Sequence, residues 1–181
     1  EGLLGSLSAT TYPSKPEDML SVEAEYCRME KELEDKLSNY AEKHPGYDEY
    51  RISGEVMGHD PYVLASALSA IYGEYSLDNV NSELYELFDL QYLVEEKSIT
   101  ETRYRTETRT GYREVTDPET NETILVEYTY EVEVAYDYKI CVVTLISKPL
   151  ESVIDELLTD EQRQIYEILM KTKGNYPDLF N

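Results

Sequence analysis

Apolar residues recur at steps of three and four through the first half of the chain, which predicts α-helices there. We predict the first helix over residues 14–44, with Ser14 and Glu17 at capping-box spacing at its start. Its apolar stripe consists of Met19, Val22, Tyr26, Met29, Leu33, Leu37 and Tyr40. We expect the opposite face to be solvated by Glu23, Glu25, Glu30, Glu32, Glu34 and Asp35.

Two further helices are predicted over residues 60–73 and 79–91. Asp60 and Pro61 are typical of an N-cap and a first helical position, and Gly73 is typical of a helix end. The apolar residues of the stretch 60–73 are nearly continuous, which indicates a central core helix. Between the first two helices, residues 47–58 read as a polar connection.

The hydrophobic period then changes from 3.6 to 2, which predicts β-strands over residues 94–110, 123–136 and 138–147. Asp117, Pro118 and Asn121 predict the turn between the first two strands. The last strand is apolar at nearly every position, so we expect it to be buried on both faces.

Two short helices, over residues 150–158 and 160–173, are predicted to close the chain. Helices, then strands, then helices indicate an α+β fold. We predict a single domain over residues 14–181, with the N-terminal and C-terminal helices packed on a three-stranded antiparallel sheet. Residues 1–13 are expected to be a flexible arm. They contain no basic n-region of a signal peptide, and the chain starts without methionine, so we expect a missing N-terminal segment.

The charge of the chain excludes several classes of partner. Its 181 residues include 38 acidic and 16 basic side chains, and the formal net charge is −22. Such a surface repels phosphate backbones and anionic lipids, so we predict no nucleic-acid binding and no direct membrane binding. The 18 tyrosines and the regular aliphatic pattern argue against disorder.

The two cysteines, Cys27 and Cys141, are too few for a disulfide-rich scaffold or a four-cysteine zinc site. A catalytic thiolate needs a partly exposed, electropositive environment with a histidine partner. Cys27 lies near the apolar stripe of the first helix and Cys141 lies in the most apolar strand. We therefore predict that both are small core residues.

The two histidines have acidic neighbours in sequence, and histidine with carboxylates can bind a metal ion. The acidic candidates are Asp48, Glu49, Glu55 and Asp60. A structural role is the alternative that we favour, since His44 lies at a helix C-terminus, where an imidazolium complements the dipole, and His59 precedes a helix cap. We predict no metal ion and no cofactor.

One carboxylate has a catalytic alternative. Asp60 and Pro61 open an apolar helix that is followed by Glu74, which resembles the opening of lytic transglycosylases and related lysozyme-like enzymes. In that family a glutamate after the helix protonates the glycosidic oxygen, and such a general acid needs a raised pKa in a cleft. Glu74 comes about three residues later than the family's glutamate and precedes Tyr75 where the family has serine. Glu55 is an equally placed carboxylate.

Tyrosines on the predicted sheet offer two alternatives. They either form a platform for sugars or support a helix while their hydroxyl groups stay hydrated, and we favour packing. The residues concerned are Tyr104, Tyr128, Tyr130, Tyr136 and Tyr138.

Several strings of residues together resemble a known family. They are Asp60–Leu64, Arg103–Arg109, Tyr130–Val134, Tyr138–Leu145 and Gly174–Phe180. They resemble the middle region of cell-wall hydrolases encoded by conjugative transposons of Gram-positive bacteria. In that family a membrane anchor precedes this region and an NlpC-type cysteine peptidase domain follows it. The family's catalytic residues belong to that peptidase domain, so none is carried over to Cys27 or Cys141.

The resemblance implies an extracytoplasmic, cell-surface location, with membrane anchoring through the missing N-terminal segment. We therefore expect a non-catalytic accessory domain that positions the hydrolase or contacts proteins of the conjugation machinery, with peptidoglycan as the other candidate partner. The alternative function is a diverged muramidase that acts on peptidoglycan with Glu74 as general acid.

Overall fold

The computed structural model describes residues 10–181, which form six α-helices and a three-stranded sheet. The helices are α1 (Pro16–Ser38), α2 (Tyr40–Lys43), α3 (Pro61–Tyr72), α4 (Leu77–Gln91), α5 (Leu150–Leu157) and α6 (Asp160–Thr172). The strands are β1 (Glu49–Ser53), β2 (Tyr92–Thr116) and β3 (Thr123–Ser147). The fold is therefore mixed α and β, as the sequence indicates.

The described residues group into two compact units, and the single domain over residues 14–181 stays a prediction. The first unit contains the described residues up to Pro45, together with Ile52–Glu96 and Val143–Asn181. The second unit contains Gly46–Arg51 and Lys97–Val142. The first unit holds the helices, and the second holds most of the sheet.

The core of the first unit is built mainly by helices that pack on one another. Every residue of α3 from Tyr62 to Ala70 is buried, as its nearly continuous apolar sequence predicts. Asp60 caps this helix, since its carboxylate accepts a hydrogen bond from the Tyr62 N–H at 2.9 Å. The largest fully buried side chains from other segments include Met19, Tyr26, Tyr75, Leu84, Ile154 and Leu169.

The predicted capping box at the start of the first helix is wrong. Lys15 is the N-cap of α1 and makes no side-chain cap. The hydroxyl of Ser14 is buried and accepts a hydrogen bond from the Tyr75 N–H at 2.9 Å instead. The predicted single helix over 14–44 is also divided at Asn39, whose φ of −107° and ψ of 19° are not helical.

Part of the predicted N-terminal arm packs in the core. Residues 1–9 of the arm lie outside the described residues, so the prediction of flexibility for them stays a prediction. Tyr12 is only 2% exposed, and its hydroxyl is 2.8 Å from that of Ser66. Its N–H donates to the carbonyl of Gly174 at 3.1 Å. The last residues of the arm therefore pack in the helical core.

The sheet has the order β1-β3-β2 and is mixed, so the prediction of a purely antiparallel sheet is wrong. β2 and β3 are antiparallel, but β1 is parallel to β3 and comes from the segment predicted as a polar connection. The two predicted strands over 123–136 and 138–147 are one strand, β3. Tyr136 and Tyr138 have the same parity, so the alternation of faces continues across Asp137 without a turn.

β2 and β3 form a long hairpin with one register. Backbone hydrogen bonds join Lys148 to Gln91 at 2.7 Å in the first unit and Asp117 to Glu122 at 2.9 Å in the second. The predicted turn at 117–121 is confirmed, and Asn121 has the positive φ of 61° that it needs. Each strand has 25 residues, which corresponds to a contour length of roughly 80 Å at about 3.3 Å per residue.

Candidate functional site

The imidazole of His59 lies between two carboxylates of α1. Its side chain is 2% exposed, in the loop between β1 and α3. Nε2 lies 3.0 Å from Oε2 of Glu23 and is hydrogen-bonded to its Oε1 as well. Nδ1 lies 2.7 Å from Oε1 of Glu30. We call the group formed by Glu23, Glu30, His59 and the neighbouring Cys27 the His59 cluster.

Tyr92 anchors the second carboxylate of the cluster. Its hydroxyl donates to Oε2 of Glu30 at 2.5 Å and accepts from the Gly58 N–H at 3.1 Å. Glu30 is only 8% exposed, and both of its carboxylate oxygens accept hydrogen bonds from buried partners. The position of His59 is therefore set by a chain of hydrogen bonds that ends on its own neighbouring backbone.

Aromatic packing completes the surroundings of His59. The ring of Tyr26 meets the imidazole edge-on, with centroids 4.7 Å apart. The Tyr26 hydroxyl donates to Oε1 of Gln91 at 2.6 Å, and Nε2 of Gln91 donates to the carbonyl of Gly58 at 3.2 Å. These contacts fix the loop before α3 against α1 and the end of α4.

The protonation of His59 follows from two opposed effects. Burial lowers the pKa of the imidazole because it disfavours the charged form, but the hydrogen bonds and charges of Glu23 and Glu30 raise it more. The net result is a pKa of about 9. At neutral pH, His59 is therefore an imidazolium that donates from both nitrogens.

Cys27 is exposed, so its prediction as a core residue is wrong, whereas Cys141 is buried as predicted. The thiol of Cys27 donates to Oε2 of Glu23 at 3.7 Å. Partial burial of the sulfur, Glu23 and Glu30 raise the pKa of the thiol to about 11. Ligand atoms of Glu23, Cys27 and His59 all lie within 4.8 Å of one another.

Sequence reasoning missed the cluster because it assigned Glu23 and Glu30 to the solvated face of the first helix. They are seven residues apart, which places them on one helical face about two turns apart. Each also directly follows an apolar stripe residue, Val22 or Met29. That boundary position and spacing are the signal that the sequence contains, but only the fold brings His59 to it.

The other predicted metal-ligand candidates have different partners. His44 is the C-cap of α2, as expected, and its ring stacks on Tyr40 with centroids 4.0 Å apart. The carboxylate of Asp48 accepts from the Lys139 N–H at 2.7 Å, and that of Glu49 pairs with Arg51. Asp60 caps α3. Of the metal-ligand candidates taken from the sequence, only His59 belongs to the cluster. Its carboxylate partners are Glu23 and Glu30, which were not among those candidates.

Glu74 lies exposed in the bend that follows α3. A glycosidase general acid is kept protonated near neutral pH by shielding from water. Glu55, the other carboxylate considered, is also exposed, and its backbone carbonyl accepts from the Ser147 hydroxyl at 2.9 Å. The assignment of Glu74 as general acid stays a prediction.

In the second unit, β2 and β3 form what we call the ribbon, residues 97–116 and 123–142. Arginines of β2 stack on tyrosines of β3 on one face: Arg103 lies 3.5 Å from the ring centroid of Tyr138, and Arg105 lies 5.5 Å from that of Tyr136. Tyr136 and Tyr138 are half-buried, whereas Tyr128 and Tyr130 are 41% and 42% exposed. The predicted packing role therefore agrees with the burial of Tyr136 and Tyr138 but not with the exposure of Tyr104, Tyr128 and Tyr130.

The opposite face of the ribbon, which we call the threonine face, is exposed except at Cys141. It combines the even residues of β2 with the odd residues of β3, since residues 116 and 123 are paired. Its exposed apolar side chains are Tyr104 (66%), Tyr112 (64%) and Leu125 (68%). Its exposed acidic side chains include Glu127, Glu131, Glu133 and Asp137.

Comparison with known proteins gives no relative for this chain. No protein-family model matches it, and neither a curated protein nor a solved structure matches it. Among the helices of residues 10–181, none combines the length and the apolar character that a membrane span requires.

Proposed function

We propose that this chain is a non-catalytic, extracytoplasmic accessory domain of a cell-wall hydrolase, and that its threonine face binds a protein with a basic surface. The binding positions the hydrolase, or joins it to proteins that transfer DNA between cells. The cell-wall setting rests on the resemblance of five strings of residues described above. The binding role rests on the ribbon.

The observation that carries the proposal is the exposure of large apolar side chains on the ribbon. The four most exposed ones among the described residues are Leu125, Tyr104, Tyr112 and Ile124, and all four belong to β2 or β3. Three of them share the threonine face. Tyr112 and Leu125 are neighbours there, because residue 125 lies opposite residue 114 of β2. Neighbouring exposed apolar groups with a polar surround are typical of protein interaction sites.

Charge indicates the chemistry of the partner. The acidic residues of β3 on the threonine face surround these apolar side chains, in a protein of net charge −22. Complementary charge favours association with a basic surface and accelerates it, while it suppresses binding to anionic partners. Tyrosines add contact area at low cost in conformational entropy.

Site-specific photocrosslinking tests the proposal in the cells that produce the protein. We expect a photoreactive residue at Tyr112 to yield a discrete crosslinked protein species, and one at Tyr85, which is exposed on α4, not to yield it. The double variant Glu131→Lys/Glu133→Lys should abolish the species. The matched variant Glu32→Lys/Glu34→Lys, on α1, should retain it. Equal crosslinking at both tyrosines, or survival in the ribbon variant, contradicts the proposal.

Purified peptidoglycan separates this function from its rivals. We expect weak retention of the chain that decreases further with salt, and no clearing of a cell-wall suspension. Strong retention that is insensitive to salt would indicate sugar recognition through tyrosines. Clearing that Glu74→Gln abolishes would establish the muramidase alternative instead.

A further inference from the structure

Three side chains with different ligand atoms converge in the His59 cluster. We propose that the Glu23 carboxylate, the Cys27 sulfur and Nε2 of His59 bind a zinc ion. Their ligand atoms lie within 4.8 Å of one another, close enough for a single ion to reach all three. This site is independent of the threonine face and of the function proposed for it.

The helix supplies two of the ligands on one side. Glu23 and Cys27 are four residues apart in α1, so their side chains lie one turn apart on the same face. The thiol already contacts the carboxylate, with 3.7 Å between Sγ and Oε2. His59 enters from the loop before α3, where its ring is fixed by the edge-on contact with Tyr26. The side chains of Glu23, Cys27 and His59 therefore need little rearrangement to bind one ion.

Glu30 orients the histidine. It binds Nδ1 at 2.7 Å, and Tyr92 holds its other oxygen at 2.5 Å. Metal-binding histidines commonly donate their second N–H to a carboxylate, which fixes the ring and leaves the other nitrogen for the metal. Nε2 is the nitrogen that faces Glu23. Glu30 is a positioning residue in this arrangement.

The ligand set selects the metal. Nitrogen, oxygen and sulfur together suit zinc, whereas calcium and magnesium require oxygen ligands. Binding releases the proton of the thiol and the proton on Nε2, and the ion takes their place. Cys27 is exposed, so an ion can enter from solvent and water can take the fourth position.

Cobalt(II) and zinc(II) titrations of the chelator-treated protein test the site. We expect one equivalent of cobalt to bind, with the intense visible bands of a four-coordinate ion and a sulfur-to-cobalt charge-transfer band. Cys27→Ser should remove the charge-transfer band and weaken zinc binding by about 100-fold or more. Cys141→Ser should leave both unchanged. Because Cys27 is exposed, its replacement leaves the fold intact.

Two further variants separate the site from general binding to an acidic surface. Glu30→Gln should weaken zinc binding by about 10- to 100-fold while the charge-transfer band persists, since the ligands stay in place. Glu25→Gln, on the same helix, should bind zinc as the wild type does. Absence of binding at one equivalent, or a cobalt spectrum that Cys27→Ser leaves unchanged, would overturn the proposal.

Discussion

His59 shows how two strong opposing effects are balanced at a single residue. An isolated imidazolium at 2% side-chain exposure would be costly, and burial alone would make the ring neutral. The carboxylates of Glu23 and Glu30, whose side chains are 14% and 11% exposed, keep the imidazole charged by raising its pKa. Removing either carboxylate weakens the stabilisation of the buried imidazolium, although the other carboxylate still pairs with it.

Glu30→Gln should therefore lower the free energy of unfolding by about 2 kcal/mol in the metal-free protein, because it weakens the charge-assisted hydrogen bonds of His59 and Tyr92. The amide carries no charge, so Glu23 alone compensates the imidazolium, and Nδ1 of His59 and the hydroxyl of Tyr92 are left with a weaker acceptor. Urea denaturation with a chelator present measures the change. Glu32→Gln on the same helix should cost less than about 0.5 kcal/mol, because its carboxylate is 71% exposed. Equal effects of the two variants would contradict this account.

The raised pKa of His59 also predicts how stability depends on pH in the metal-free protein. The folded-state pKa of about 9 lies above the unfolded value of 6.5, so the stabilisation is fully present below pH 6.5. It is lost progressively as the pH rises through 9. We expect stability to fall by roughly 3 kcal/mol over this window, measured by urea denaturation in chelator. His59→Gln should flatten that decline.

At the scale of elements, the two glycines with the closest aromatic contacts differ in what surrounds them. At Gly174, with φ of 60°, a Cβ atom would lie 2.2 Å from the ring of Tyr12. At Gly111 a Cβ atom would lie 2.8 Å from the end of the Tyr128 side chain. Tyr12 is buried in the core and cannot move, whereas Tyr128 is 41% exposed and can turn away.

Gly174→Ala should therefore destabilise the protein by about 3 kcal/mol, through overpacking and backbone strain together. Gly111→Ala should cost less than about 1 kcal/mol. Thermal unfolding of both variants measures the difference. Similar transition temperatures for Gly174→Ala and Gly111→Ala would show that the ring of Tyr12 can move despite its burial.

The strands of the ribbon should differ in stability along their length. β1 supports β3 near Lys139, where the Asp48 N–H donates to the Lys139 carbonyl at 2.8 Å. Nearer the turn the ribbon consists of β2 and β3 alone, and two-stranded hairpins are marginal in water. Hydrogen exchange should accordingly be faster for amides of residues 124–134 than for those of residues 139–142. Uniform protection along β3 would contradict this expectation.

At the scale of the whole molecule, the excess of acidic groups opposes folding. With a net charge of −22, compaction brings like charges together, and the exposed ion pairs contribute little in return. Raising the salt concentration screens this repulsion. We expect the urea midpoint to rise between low salt and physiological ionic strength, while an uncharged osmolarity control does not reproduce the shift. A midpoint that falls with salt would indicate that ion pairs dominate.

Much of the secondary structure follows from local features of the sequence. Apolar periodicity predicted the regions of the longer helices, and Asp60 and Gly73 marked the two ends of α3 where the structure has them. These patterns depend on residues that are close in sequence, so they can be recognised without knowledge of the fold. Unbroken alternation across Asp137 also shows in the sequence that β3 is one strand.

Tertiary structure alone decided the rest. β1 is short and only partly apolar, so its pairing with β3 depends on contacts with residues about 90 positions later in the chain. Likewise, no local pattern places His59 between Glu23 and Glu30, because the three meet only when α1 packs beside the loop before α3. The sequence alone determined the regions of the longer helices, the positions of β2 and β3, and the acidic charge. Packing between distant segments determined the mixed sheet, the burial of Tyr12 and the His59 cluster, because those depend on distances that local periodicity does not encode.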